Sequence, residues 1–157
     1  MKTKRFCHFF LAGIFIVSSG SVLAAQTPQK ILNAIVKIKT QIPEDAATAQ
    51  ILGTKREGNG VIIDKKGHIL TIGYLILEAE TIEIVKANGD QVKADFVAYD
   101  DQTGFGIIRA AQPLYIAPLR LGQSLRLKTG DPVLIAGFGG TEAVLGSRVV
   151  ARKEFAG

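Results

Sequence analysis

Beyond its first 25 residues the chain carries one histidine, His68, two serines, Ser124 and Ser147, and no cysteine. A hydroxyl nucleophile needs a base within reach and a third group to orient that base, so any such arrangement must pass through His68. That residue opens a short apolar run, HILTI, a setting that suits a partly exposed strand position better than a catalytic base. Ser124 sits in a connector and Ser147 in a turn before an expected strand. Neither has the flanking glycines that let backbone N–H groups face an oxyanion. One histidine without a thiol cannot supply a zinc site of ordinary type. Gly137, Gly139 and Gly140 lead into neither a helix nor a Lys-Ser/Thr pair, which argues against a phosphate loop. Glu78, Glu80 and Glu83 read as turn flanks and the polar side of an alternating strand. Asp100-Asp101 reads as a solvated turn whose side chains bond backbone N–H groups. The expectation is no cofactor, no metal and no thiolate chemistry.

The formal charge is +5 over 157 residues. Lys2, Lys4 and Arg5 supply three of the 19 cations, leaving 16 against 14 acidic side chains. An excess of two is too weak a footprint for a nucleic-acid partner. The same three cations precede an apolar run, Phe9 to Val17, and then the small residues Ser18 to Ala25, with Val22 and Ala24 at −3 and −1 spacing. This is the pattern of a cleaved export signal, residues 1–24, with the cut after Ala24 and Ala25 as the alternative. The apolar run is shorter than the roughly 18 residues a membrane span needs. No membrane span is expected once the signal is removed. Cys7 lies ahead of the apolar run, out of place for lipid attachment, and His8 leaves with the signal.

The remaining chain, 25–157, must position its chemistry on short strands. Thr27-Pro28 starts a helical turn. Ala34 to Thr40 alternates apolar and cationic residues, a half-buried strand. Gln41 to Glu57 reads as a surface loop. Gly60 to Asp64 and His68 to Ile72 form a hairpin across Lys65-Lys66-Gly67. Gly73 to Glu80 can hold a helical turn. Thr81 to Ala87 and Gln91 to Tyr99 flank Asn88-Gly89, the strongest short-range hairpin signal. Phe105 to Ala110 reads as a buried strand and Gln112 to Lys128 as a connector. Pro132 to Phe138 and Arg148 to Phe155 bracket the turn at Gly139-Gly140. Eight strands with almost no helix predict an all-β barrel or sandwich.

The order of these pieces resembles trypsin-like serine proteases of the HtrA/DegP type. Glu57-Gly58-Asn59-Gly60-Val61-Ile62-Ile63-Asp64 and Gly67-His68-Ile69-Leu70-Thr71 are similar to that family's Gly-Ser-Gly-Val-Ile-Ile-Asp and Gly-Tyr/His-Ile-Leu-Thr segments. Val97-Ala98-Tyr99-Asp100, Leu121-Gly122-Gln123-Ser124 and Thr129 to Gly137 continue the collinear series. The resemblance covers roughly residues 34–157. It implies a trypsin-like antiparallel β-barrel, the first of two, with residues 132–155 as the opening hairpin of the second. Such a hairpin leaves Val133, Ile135, Val149 and Phe155 uncovered.

Carrying the family's triad over gives a negative result. Its histidine follows Thr-Asn-Asn, whereas here Thr71-Ile72-Gly73 precedes Tyr74. Its aspartate opens an Asp-Ile/Leu-Ala-Leu strand, whereas here Thr103 is followed by Gly104-Phe105-Gly106-Ile107-Ile108. No Gly-Asn-Ser-Gly-Gly turn occurs in the sequence. A phenol is a poor base at neutral pH, and Gly104 has no side chain. Losing the base of a serine-protease triad costs on the order of a millionfold in kcat, and losing the orienting aspartate about ten-thousandfold. The resemblance therefore implies an exported protease homologue without catalysis, acting as a scaffold for unfolded or extended peptides or proteins. The alternatives are a serine endopeptidase with its serine beyond residue 157 or with another triad involving His68, and a remnant that barely folds. No matching aromatic-rich N-terminal arm is present, so no oligomeric state follows.

Overall fold

The computed structural model describes residues 27–153. The expected signal sequence and Phe155 lie outside them. Eight strands occur among the described residues, six of them in a closed antiparallel barrel. These are β1 (Ile35–Gln41), β2 (Lys55–Ile62), β3 (His68–Ile72), β4 (Thr81–Val85), β5 (Gln91–Tyr99) and β6 (Phe105–Ala110). Their order around the barrel is β1-β2-β3-β6-β5-β4, closed by pairing of β1 with β4 from Lys37↔Val85 to Gln41↔Thr81.

Period-two alternation fills the interior. Val36, Ile38, Ile62, Ile69, Ile84 and Ile108 are each essentially inaccessible. The inward positions of β2 also include Gly60. A Cβ there would stand 2.6 Å from Ile69 Cγ2 and 2.7 Å from Ile38 Cδ1, so the two isoleucines meet across a missing side chain. Three short helices attach to this frame: α1 (Pro28–Asn33), α2 (Ala49–Leu52) and α3 (Gly73–Ile76). The last follows β3 directly and buries Leu75 and Ile76. The connector after β6 crosses the barrel wall, where Leu119 N–H donates to the Ile62 carbonyl at 2.9 Å.

Among the described residues two strands, β7 (Pro132–Ala136) and β8 (Val144–Arg148), pair only with each other. They reach the barrel through a 3-10 turn at Gly140–Ala143, which packs on α1. Phe138 N–H also donates to Asn59 Oδ1 at 3.0 Å, and Lys37 Nζ lies 5.6 Å from the Phe138 ring centre.

Three sequence expectations need correction. Gln41 to Glu57 is not all loop: it contains α2, and Lys55 begins β2, because the polar Lys-Arg-Glu run pairs in register with β1 from Thr40↔Arg56 onward. The last described strand ends at Arg148, where the expected strand Arg148 to Phe155 begins, and residues 149–153 are in no strand. Val149 makes the final ladder bonds, to Asp131 O at 3.0 Å and from Gly130 N–H at 2.7 Å. Ser147 therefore belongs to a strand rather than a turn. On β7, Ile135 is exposed as expected, but Val133 is half-buried and Leu134, at 76%, is more exposed than Ile135.

Candidate functional site

Tyr74 and Gly104 come together in space. Strand β3 delivers the chain to Ile72, whose extended backbone leads into α3, and Tyr74 is the second residue of that turn. Gly73 N–H donates to the Gly104 carbonyl at 2.7 Å, joining α3 to the turn before β6. Gly73 is buried beneath the ring of Tyr99. A Cβ at residue 73 would collide with Tyr99 Cε2 and approach Gly104 O to 3.2 Å, so the close approach needs glycine. Gly104 itself has φ of +72°, a left-handed conformation that side chains adopt at a penalty, with open space where a side chain would point. The turn ahead of it is held by Asp100, which accepts from Thr103 Oγ1 at 2.6 Å and from Gln102 N–H at 3.3 Å, as the solvated-turn reading expected.

Beneath Tyr74 lies a residue the sequence reading missed. Arg56 is 4% exposed. Its Nη1 donates to the carbonyls of Tyr74 and, at 3.5 Å, Leu77; Nε donates to Gly53 O at 3.1 Å and Nη2 to Thr48 Oγ1 at 2.7 Å. Thr48 Oγ1 in turn donates to Glu78, whose carboxylate also accepts the N–H groups of Ala47 and Thr48, each at 2.9 Å. The Thr48 hydroxyl, the two backbone amides and the Arg56 charge hold the Glu78 carboxyl below its ordinary pKa. Alternation along β2 was the available signal, since Arg56 shares its inward face with Gly60 and Ile62.

His68 sits at the other end of β3, four residues before Ile72 and so about 13 Å along the strand. Its Nδ1 lies 2.6 Å from Asp64 Oδ2. Asp64 Oδ1 accepts the N–H groups of Lys66 and His68, closing the hairpin turn. The His68 side-chain bond foremost, with these amides, lowers the Asp64 pKa. This pair is a carboxylate-oriented imidazole, and it is remote from Tyr74 and Gly104. Ser124 begins a 3-10 turn, Ser124–Arg126, and Ser147 lies in β8. Among the described residues no group of three His, Cys, Asp or Glu side chains could hold a metal ion. No helix there is long and apolar enough to cross a membrane.

The profile of the trypsin-like peptidase domain matches residues 58–155. The chain belongs to the trypsin-like peptidase family. Its relatives are of the HtrA type. It is 30% identical over 81 residues to the periplasmic pH-dependent serine endoprotease DegQ of Escherichia coli, covering 51% of this chain and 18% of that protein. It is 25% identical over 138 residues to the chloroplastic protease Do-like 1 of Arabidopsis thaliana, covering 77% of this chain and 31% of that one. The solved structure of a variant of the HtrA-type protease AlgW with a tripeptide superposes with a TM-score of 0.65 at 21% identity, over 78% of this chain and 38% of that one. The chain thus spans about a third or less of the curated relatives it matches. The all-β, trypsin-like barrel expected from the sequence is the fold observed.

Proposed function

We propose that this chain is an exported trypsin-like homologue that binds extended polypeptide and does not cleave it. The observation that carries this reading is the bond from Gly73 N–H to Gly104 O, which sets the segments of Tyr74 and Gly104 side by side. The resemblance assigns these positions to the base and its orienting acid, and they adjoin in the fold with neither group supplied. Ser124 and Ser147 stand in a 3-10 turn and a strand, outside any Gly-x-Ser-Gly turn. The basic, apolar and small-residue tracts of residues 1–24 support export, and the periplasmic relative DegQ supports the periplasm as destination.

The test is labelling of the purified protein with a serine-directed fluorophosphonate, beside anisotropy of fluorescent, unfolded β-casein. We expect saturable casein binding without labelling or cleavage. Tyr74→His with Gly104→Asp should leave labelling absent, because neither Ser124 nor Ser147 stands in a Gly-x-Ser-Gly turn. Failure to bind casein would remove the scaffold reading.

A second reading, a serine endopeptidase, is favoured by the Asp64–His68 pair, which has the carboxylate-oriented base of such enzymes. Fluorophosphonate labelling abolished by His68→Ala would establish it and overturn the first.

A further inference from the structure

Two non-glycine residues among those described have left-handed backbone, Glu78 (φ 60°) and Tyr115 (φ 54°). Glu78 is held there by its bonds to Ala47 and Thr48. Tyr115 has no comparable restraint and is 95% exposed. Leu114 is buried and Ile116 packs on the core, yet ordinary extended backbone would alternate them equally well. Bulky residues rarely adopt this conformation, and backbone strain of this kind concentrates at ligand sites.

Tyr115 lines a concave site of about 490 Å³ together with Gln29, Asn33 and Asn88. A second site of about 320 Å³ shares Gln29 and Asn33 and extends to Phe138. Both volumes fit the range of small-molecule sites, roughly 300–1,000 Å³. The lining carries little free charge: Lys86, its one cation, is held by Asp90 at 2.7 Å, and no acid lines either part. Gln29 Nε2 donates to Asn33 Oδ1 at 2.8 Å. Among the described residues this leaves Gln29 Oε1 as an acceptor and Asn33 Nδ2 as a donor without partners, while Asn88 is committed to Asp90. An exposed aromatic face beside an uncharged acceptor and donor matches a ring with an apolar C–H face and peripheral hydroxyls.

We propose that this cleft binds a neutral oligosaccharide, with one pyranose ring stacked on Tyr115 and hydroxyl groups bonded to Gln29 and Asn33. Peptide capture by strand addition needs a free sheet edge, and the neighbouring β4 is paired on both sides within the barrel. The site uses no residue of the 73–78 or 100–105 segments, so it stands apart from the proposed function.

The experiment is a titration of the isotopically labelled full chain with N,N′,N″-triacetylchitotriose, followed by amide chemical shifts. Saturable shifts at Gln29, Asn33 and Tyr115 are expected. Tyr115→Gly removes the ring and suits the left-handed backbone, so it keeps the fold and should raise Kd at least tenfold. The double variant Gln29→Ala with Asn33→Ala, on a helix with no fully buried residue, should do the same. Absence of saturable shifts up to about 10 mM, tenfold above a millimolar Kd, overturns the proposal. So does unchanged affinity in Tyr115→Gly, or a proline-rich peptide shifting these residues where the sugar does not.

Discussion

Replacing Arg56 with alanine tests whether its guanidinium holds the segment that carries Tyr74. The side chain is 4% exposed and makes two well-formed bonds to carbonyls, of Tyr74 and Gly53, one to Thr48 Oγ1, and a long one to Leu77 O at 3.5 Å. A hydrogen bond from a charged donor contributes about 1.5–3 kcal/mol, so the two carbonyl bonds together represent about 3–6 kcal/mol. Water entering the vacated space restores part of this, and the expected net loss is about 3 kcal/mol. That is a substantial share of the roughly 5–15 kcal/mol that stabilises a domain, and corresponds to a fall in Tm of about 10 °C. Urea unfolding followed by circular dichroism reads the loss, and hydrogen exchange reads its location, expected at residues 73–79. Arg56→Met separates packing from hydrogen bonding, since it keeps much of the apolar stem but leaves the carbonyls unpaired. A methionine variant within about 0.5 kcal/mol of the parent would refute the reasoning, because a surface-like effect is all that such a value represents.

Two further outcomes follow from the same geometry. The carboxyls of Asp64, Glu78 and Asp90 are all lowered from ordinary values of 3.8, 4.5 and 3.8, by His68, Thr48 and Lys86 respectively as the foremost causes. Their contribution is complete above pH 4.5 and is lost as pH falls below these values through the lowered ones, so Tm should drop between pH 5 and pH 3, with a shallower drop in Glu78→Gln; a Tm that rises over that interval contradicts the assignment. Gly73→Ala drives a methyl group into the Tyr99 ring and toward Gly104 O, and overpacking of this kind costs about 1–3 kcal/mol; chemical denaturation should show this loss, partly recovered in Gly73→Ala with Tyr99→Ala.

The hairpin at Asn88-Gly89 and the alternating strands β1 and β4 were legible because local chemistry fixes each: left-handed glycine at 89, and period-two burial. Lys55 to Glu57 was not, since a polar triplet reads as loop until a partner strand is known. Here β1 supplies that partner, and the Tyr74 and Gly53 carbonyls make an inward arginine tolerable. Tyr74 and Gly104 were singled out by collinearity with a family, and the Gly73–Gly104 bond brings their segments together. The Asp64–His68 pair lay within reach of the sequence, as an Asp four residues before a His across a turn. The left-handed Tyr115 did not, because nothing in Pro113-Leu114-Tyr115-Ile116 distinguishes it from an ordinary extended connector.

Barrel closure runs from β1 to β4, and the last barrel strand ends at Ala110, before either strand of the hairpin has begun. A chain threading N-terminus first out of a ribosome or a translocation pore therefore presents all six barrel strands while β7 and β8 are still inside. The barrel can close at that moment, because its ladder borrows no hydrogen bond from the later strands. From then on the hairpin is a passenger, coupled to the finished barrel through Asn59, the Phe138 ring and α1. Errors in making or holding the hairpin have few routes by which to reach the barrel, whose ladder closes without it.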